Sequence, residues 1–199
     1  MNLLLRMLLE LLQRFARTLD LPLLAGLLGL MAMGLATQYS AGNESLRGVA
    51  MQGAFYCVGL GALWVASRVP AHLLKQATPA IFLASLLPLV LVLFIGSGKY
   101  GNHWISLGFF NFQPSELAKL TLPMMLAWHF DRHRLPPRFG VLLAGVAIIA
   151  MPVGLTLLQH DLGTAALVLA AGVFVLFLAG TSWWWWGAAA VIGGTGFAL

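Results

Sequence analysis

The chain has 199 residues, of which 60% are hydrophobic and 9% are charged, and its formal net charge is +5. A soluble domain of this length cannot bury so much apolar surface, whereas several bilayer-spanning helices can. The basic residues stand in short clusters between apolar runs, as membrane topology signals do, which argues against nucleic acid as a partner.

The first segment, residues 1–19, is predicted to form a cytoplasmic amphipathic helix, because its polar side chains share one helical face among leucines. Residues 20–199 are predicted to form one transmembrane domain. Six apolar segments there approach the roughly 20 residues that cross a bilayer, namely 21–39, 48–66, 77–97, 113–129, 139–158 and 163–181. A seventh begins at Trp183 and is still running at Leu199. The predicted fold is therefore an all-α polytopic membrane protein.

The placement of lysine and arginine predicts a cytoplasmic N-terminus. One side of the membrane receives eight of the 11 basic residues: Arg6, Arg14, Arg17, Arg68, Lys75, Arg132, Arg134 and Arg138. The other side receives only Arg47, Lys99 and Lys119. The connections around 40–47, 98–112 and 159–162 are accordingly expected to face outward.

The fourth segment opens with the sequence from Gln113 to Lys119, which places an acid and a base three residues apart in an apolar region. Pro114 suits the first position of a helix, Glu116 then falls in the first turn, and Lys119 shares its face. A structural ion pair is one interpretation. The alternative is that Lys119 engages a phosphate while Glu116 orients a hydroxyl or a metal-bound phosphate, since charges inside membranes mark functional sites.

Two other outward connections carry polar residues. In the first, His103 is a candidate contact for an anionic headgroup, and Trp104 suits an anchor at the bilayer surface. In the second, Asp161 either caps the sixth helix or pairs with His160 in catalysis. The run Trp183–Trp186 is typical of a membrane interface, with a carbohydrate-stacking surface as the alternative.

These motifs together resemble the SEDS family of bacterial cell-wall proteins, which includes RodA, FtsW and SpoVE. Residues 113–119 match the family's Gln-Pro-Ser-Glu-x-x-Lys motif, and residues 101–105 and 159–164 resemble two further motifs. His103 stands where the family usually has arginine, and His160 where it usually has proline. Leu162 is more like RodA than FtsW.

The resemblance implies a peptidoglycan glycosyltransferase of the bacterial inner (plasma) membrane that polymerises lipid II for cell-wall elongation and rod shape. Undecaprenyl pyrophosphate would be released, and a class B penicillin-binding protein would be the partner. The family's acidic catalytic residue lies in an outer loop after span seven. Because the chain resembles the N-terminal half of a family member, with a partial SEDS transmembrane domain over 20–199, no catalytic residue is assigned.

The residues expected to bind substrate share outward positions and polar or aromatic side chains: Glu116, Lys119, Gln113, Ser115, His103, Trp104 and Asp161. We expect no metal site built from protein ligands, since the only cysteine is Cys57, although a divalent cation, Mg²⁺ or Mn²⁺, would suit the implied chemistry. Two other functions stay open. One is a lipid II transporter, or flippase, and the other is a non-catalytic membrane scaffold for a penicillin-binding protein.

Overall fold

A computed structural model describes residues 20–41, 46–97, 103–106, 108, 111–185 and 187. The predicted helix over 1–19 lies outside this part of the chain, as does the predicted seventh span apart from residues 183–185 and 187. The chain divides into two compact units, one ending at Leu73 and the next beginning at Leu74.

The first unit contains two packed helices, α1 (Leu21–Ala41) and α2 (Leu46–Ala66). Asp20 precedes α1, and its carboxylate accepts a hydrogen bond from the backbone N–H of Leu23 at 3.3 Å. Neither helix contains a fully buried residue. Apolar side chains on all sides are what a bilayer-spanning helix requires.

The second unit holds the remaining helices, α3 (Ala71–Ile95, from Leu74 onward), α4 (Pro114–Asp131), α5 (Phe139–Leu158) and α6 (Leu162–Leu178). Between α3 and α4 lies a small antiparallel pair, β1 (Ile105–Ser106) and β2 (Asn111–Phe112), with Ile105 opposite Phe112. A further bridge joins Ser97, just after α3, to Trp104, just before β1. The connection predicted over 98–112 therefore contains short strands.

Helices α4, α5 and α6 pack closely because small residues stand at their crossings. A Cβ placed on Gly172 of α6 would lie 2.7 Å from Cγ1 of Ile149 in α5, and one on Gly145 would lie 2.9 Å from Cζ of Phe130 in α4. The side chains buried in this core are Phe82, Leu86, Leu122, Leu126, Phe130, Leu142, Ile149, Val168, Leu176 and Ala179.

One buried polar contact joins α3 to α4. The hydroxyls of Ser85 and Thr121 lie 2.8 Å apart, and Ser85 also donates to the carbonyl of Phe82 at 2.7 Å. Both helices contain prolines, Pro88 in α3 and Pro123 in α4, which remove backbone donors. Side-chain hydroxyls are common partners for backbone groups in membrane helices.

Among the described residues, four helices are long and apolar enough to cross a membrane, α1, α2, α3 and α5. Helix α6 is apolar but has 17 residues, and α4 has 18 residues that include Glu116, Lys119 and Asp131. A described helix occupies each of the six predicted spans, and the predicted fold class, an all-α polytopic membrane protein, is confirmed.

Two helix ends lie several residues from the approximate ends of the predicted apolar spans. Helix α3 begins at Ala71 rather than at residue 77, because its polar first turns, with His72 and Lys75, are helical although they are not apolar. Helix α6 ends at Leu178 rather than at residue 181, because Gly180 adopts a left-handed φ of 76° and its N–H bonds to the carbonyl of Phe177 at 3.0 Å. A glycine in this conformation is a common helix stop.

Candidate functional site

The N-termini of α4 and α6 are tied together by a group of three side chains, Gln113, Asp161 and Thr164, which we call the capping network. Gln113 has an extended backbone before Pro114, and its amide nitrogen donates to Oδ2 of Asp161 at 3.0 Å and to Oγ1 of Thr164 at 3.4 Å. Thr164 Oγ1 in turn donates to Asp161 Oδ2 at 2.7 Å. The network thus fixes two helix ends relative to each other.

Asp161 also caps α6, because its Oδ1 accepts the backbone N–H of Thr164 at 2.9 Å. The predicted capping role is therefore confirmed. Burial raises the pKa of Asp161, but the two Thr164 bonds, the electrostatic attraction of His103 and the Gln113 bond together outweigh it, so the net pKa lies below its ordinary value. The carboxylate is consequently held in its ionised form.

His103 and Trp104 stand at the start of the strand pair. Trp104 exchanges backbone hydrogen bonds with Ser97, at 2.8 and 3.1 Å, which fastens this segment to the end of α3. The His103 ring lies 6.0 Å from the Trp104 ring, and its Nδ1 atom is buried without a hydrogen-bond partner. His103 also acts electrostatically on Asp161. The structure therefore brings together residues from two of the predicted polar motifs, 101–105 and 159–164.

Glu116 and Lys119 form the predicted ion pair on α4, with Nζ to Oε1 at 2.8 Å. Pro114 occupies the first helical turn and Glu116 lies in that turn, both as predicted. The Lys119 side chain is 28% exposed and that of Glu116 is 56% exposed, so both charged groups remain accessible. An exposed pair of this kind contributes little to stability, and its charges stay available to a ligand.

Two buried polar side chains adjoin the capping network. Ser115 is completely buried and its Oγ has no partner, so this predicted substrate contact faces the protein interior. Gln159, which the sequence did not single out as a site residue, is 1% exposed and donates from its amide nitrogen to the carbonyl of Leu89 in α3 at 3.1 Å. Its Oε1 has no partner. A glutamine two residues before a capping aspartate was the signal that could have found it.

His160 adopts a left-handed backbone, with φ of 59°, between Gln159 and Asp161. Its side chain is exposed, and its N–H donates to the carbonyl of Leu157 at 2.9 Å. None of the described contacts of Asp161 comes from the His160 ring. The pairing of His160 with Asp161 that the sequence left open is not among these contacts.

Within the described ranges, no three His, Cys, Asp or Glu side chains come together as a metal-binding group. Both oxygens of Asp161 are already engaged by Thr164 and Gln113. Glu116 is different, because its carboxylate is exposed and, among the residues that the structure describes, its ion-pair partner is Lys119. The Glu116 carboxylate, unlike that of Asp161, can therefore bind a further ligand.

The helices and the polar end that they build define a polytopic α-helical membrane protein with an accessible charged pair. The sequence matches the profile of the family described as "Cell cycle protein", FtsW/RodA/SpoVE, over residues 13–199. The chain belongs to this family.

Relatives with similar sequences carry the names of cell-wall enzymes. The peptidoglycan glycosyltransferase MrdB of Escherichia coli (strain K12) is 33% identical over 166 residues, covering 83% of this chain and 45% of MrdB. The probable peptidoglycan glycosyltransferase FtsW of Allochromatium vinosum is 35% identical over 197 residues, covering 92% of this chain and 49% of that protein. The chain thus spans about half the length of these relatives.

Solved structures share the fold. A chain from a study of the structural coordination of polymerization and crosslinking by a peptidoglycan synthase complex is similar with a TM-score of 0.78 and 30% identity, covering 90% of this chain and 52% of that one. A mutant of the rod shape determining protein RodA of Thermus thermophilus has a TM-score of 0.76 and 31% identity, covering 82% of this chain and 55% of that one.

Proposed function

We propose that the whole protein is a peptidoglycan glycosyltransferase that polymerises lipid II into glycan strands for cell-wall elongation. The observation that carries the proposal is the accessible Glu116–Lys119 pair, at the end of the bundle where the capping network and His103 meet. The names of similar relatives support the same activity. The predicted orientation would turn this end outward, toward the cell wall.

Lys119 carries the positive charge that would stabilise the leaving group of this reaction. A sugar hydroxyl attacks an anomeric carbon, the bond from that carbon to the pyrophosphate oxygen breaks, and negative charge grows on the departing undecaprenyl pyrophosphate. A fixed cation next to that oxygen lowers the barrier because it interacts more strongly with the transition state than with the substrate. Glu116 holds the Lys119 ammonium in position at 2.8 Å. The base that accepts the hydroxyl proton is not assigned to residues 1–199.

A divalent cation fits the proposal as a companion of the substrate. Mg²⁺ keeps several waters and is commonly held by one or two carboxylates together with substrate phosphates. Glu116 could supply the protein carboxylate. The cation would then neutralise charge on the pyrophosphate, while Lys119 and Glu116 orient it.

The test is polymerisation of lipid II by the purified complete protein carrying Lys119→Ala. Loss of the cation removes leaving-group stabilisation, and we expect the rate of glycan formation to fall about a hundredfold or more. Lys75→Ala is the matched control, since Lys75 is also a lysine in an exposed ion pair, with Asp131 at the opposite end of α4. That variant should retain nearly the parent rate.

A Lys119→Ala protein that is folded and polymerises lipid II at the parent rate would remove the proposed role. Transfer of lipid II across liposome membranes by the parent protein, without glycan chains, would favour the transporter instead. A protein that binds a penicillin-binding protein but turns over no lipid II would favour the scaffold.

We further propose a crosslinking partner, a class B penicillin-binding protein, and residence in the bacterial inner membrane with a cytoplasmic N-terminus. The partner is supported by the similarity to a chain from a peptidoglycan synthase complex in which polymerization and crosslinking are coordinated. The residence and orientation are supported by the apolar helices and by the distribution of basic residues.

A further inference from the structure

The connection between α4 and α5, residues 132–138, is strongly basic and exposed; we call it the basic loop. It contains Arg132, Arg134 and Arg138, and all three side chains are exposed. The neighbouring acid, Asp131, forms an ion pair with Lys75 of α3, so its charge is already balanced. The three arginines therefore leave a local excess of positive charge.

Aromatic side chains place this loop at a membrane surface. The Arg132 guanidinium lies 3.8 Å from the centre of the Trp128 ring, and Trp185 stacks on Phe139, the first residue of α5, at 5.1 Å. Tryptophans concentrate where the hydrocarbon meets the headgroups. A planar guanidinium that lies over a ring leaves the N–H groups at its edge free for a partner.

The described part of the chain leaves apolar side chains at the same place largely exposed. Leu135, within the basic loop, is 55% exposed, Phe139 is 59% exposed and Trp185 is 42% exposed. Exposed guanidinium groups beside exposed apolar side chains are complementary to an amphipathic molecule with an anionic phosphate at one end and hydrocarbon at the other.

We propose that the basic loop, with Phe139 and Trp185, binds the headgroup of an anionic phospholipid such as phosphatidylglycerol. Arg134 and Arg138 pair with the phosphate, Arg132 supports them from its position on Trp128, and the acyl chains lie along Leu135 and Phe139. This site is separate from the proposed lipid II site, because it lies at the C-terminal end of α4, whereas Glu116 and Lys119 lie near its N-terminal end.

The test uses the full chain in nanodiscs with equal parts of phosphatidylglycerol and phosphatidylcholine, followed by native mass spectrometry of the lipids that stay bound. The parent chain should retain phosphatidylglycerol in preference to phosphatidylcholine. The double variant R134Q/R138Q should lower that preference by roughly fivefold per removed charge, about 25-fold in total. Both leaflets have the same composition, so the orientation of the protein does not affect the readout.

Two control variants separate a site from a general effect of charge. R68Q also removes an arginine that lies on a tryptophan, since Arg68 is 4.4 Å from the Trp64 ring at the end of α2, but Arg68 is the single arginine of its own connection, residues 67–70. The R68Q variant should change the preference for phosphatidylglycerol little. The lysine variant R134K/R138K keeps the charge and should keep part of the preference.

Equal retention of the two lipids by the parent chain would overturn the proposal, as would an R68Q effect of about fivefold, the change expected for each arginine removed from the basic loop. Displacement of phosphatidylglycerol by millimolar inorganic phosphate would also overturn it, since the ligand would then be free phosphate. Circular dichroism of each variant in the same nanodiscs verifies that the helices are intact.

Discussion

At the scale of single residues, Asp161 stands out because one carboxylate serves two helices. It accepts two hydrogen bonds from Thr164 of its own helix and one from Gln113 at the start of α4. A protonated carboxyl group would lose acceptor capacity for these donors. The link between α4 and α6 therefore depends on ionisation of Asp161.

The first prediction concerns acid stability. The pKa of Asp161 in the folded chain lies below the ordinary value of 3.8. A depressed pKa contributes stability that is fully present above 3.8 and is lost as the pH falls through the folded-state pKa. Thermal unfolding in detergent should therefore show a decrease in Tm in this acidic range that Asp161→Asn reduces. Asp131→Asn is the control and should leave the decrease unchanged; an undiminished decrease in Asp161→Asn would contradict the prediction.

His160 is the other unusual residue, since a non-glycine residue at φ of 59° is uncommon. The SEDS resemblance placed a proline at this position, and a proline cannot adopt a positive φ. The turn before Asp161 therefore follows a different backbone path here from the path a proline would require. The replacement of proline by histidine at position 160 is therefore accompanied by a backbone conformation that proline could not adopt.

The second prediction follows from that conformation. His160→Gly should raise the free energy of unfolding by about 1 kcal/mol, because glycine adopts the left-handed region without the Cβ penalty. His160→Pro should destabilise the chain, because it cannot reach this φ and loses the bond to the Leu157 carbonyl. Denaturant titrations of both variants beside His160→Ala measure this. A His160→Pro protein as stable as the parent would refute the assigned turn.

At the scale of elements, the packing of α5 on α6 depends on the missing side chain of Gly172. An added Cβ would lie 2.7 and 2.9 Å from Cγ1 and Cδ1 of Ile149, which real contacts essentially never allow. Since Ile149 is itself buried, it cannot move into open space. Steric fit thus decides how closely these two apolar helices approach.

The third prediction is a steric double-mutant cycle. Gly172→Ala should destabilise the protein by about 1–3 kcal/mol through overpacking, and adding Ile149→Ala should recover part of that loss. Gly154→Ala in α5 is the control, because nothing lies within 4 Å of its added Cβ. Unfolding of the parent, the two single variants and the double variant in denaturing detergent gives the coupling free energy between residues 149 and 172. Additive effects of the two substitutions would show that their side chains do not collide.

Local sequence signals predicted the elements better than their contacts. Helix α5 has the predicted bounds, 139–158, because prolines precede it and polar residues follow it. The Asp161 cap was likewise predictable from its position before an apolar run. The Gln113–Asp161 bond spans 48 residues and the Gln159–Leu89 bond spans 70, and a single sequence contains no information on such distances.

Another regularity emerged only with the structure. Helices α2 and α4 each have a tryptophan in their last turn and an arginine four residues later, just beyond the helix: Trp64 with Arg68 and Trp128 with Arg132. In each pair the guanidinium lies over the ring. Each pair combines an interfacial aromatic group with a positive charge at the predicted cytoplasmic end of a span. The two helix ends thus carry the same marker of membrane depth.

At the scale of the whole molecule, the proposed function requires that Glu116, Lys119 and the capping network face outward. The distribution of basic residues predicts this orientation, with the basic loop on the cytoplasmic side. If the orientation were reversed, the charged pair would face the cytoplasm, where glycan polymerisation does not take place. Orientation is therefore a direct test of the proposal.

The fourth prediction is the orientation itself. In a Cys57→Ser background, which removes the only thiol, Asn111→Cys and Leu135→Cys place one exposed thiol at each end of the helices. A membrane-impermeant maleimide should label Asn111→Cys in intact spheroplasts and should label Leu135→Cys only after lysis. The opposite pattern would reverse the topology and remove the basis for an outward substrate site.

The capping network also has a consequence for the order of assembly during synthesis. Gln113 is synthesised 48 residues before Asp161, so it is made before the acceptor that it has in the finished protein. Helices in membranes form first and associate afterwards. The association of α4 with α6 is therefore completed only after the turn at 159–161 has been made. In nascent chains that end before this turn, the helix that carries Glu116 and Lys119 is not yet joined to α6.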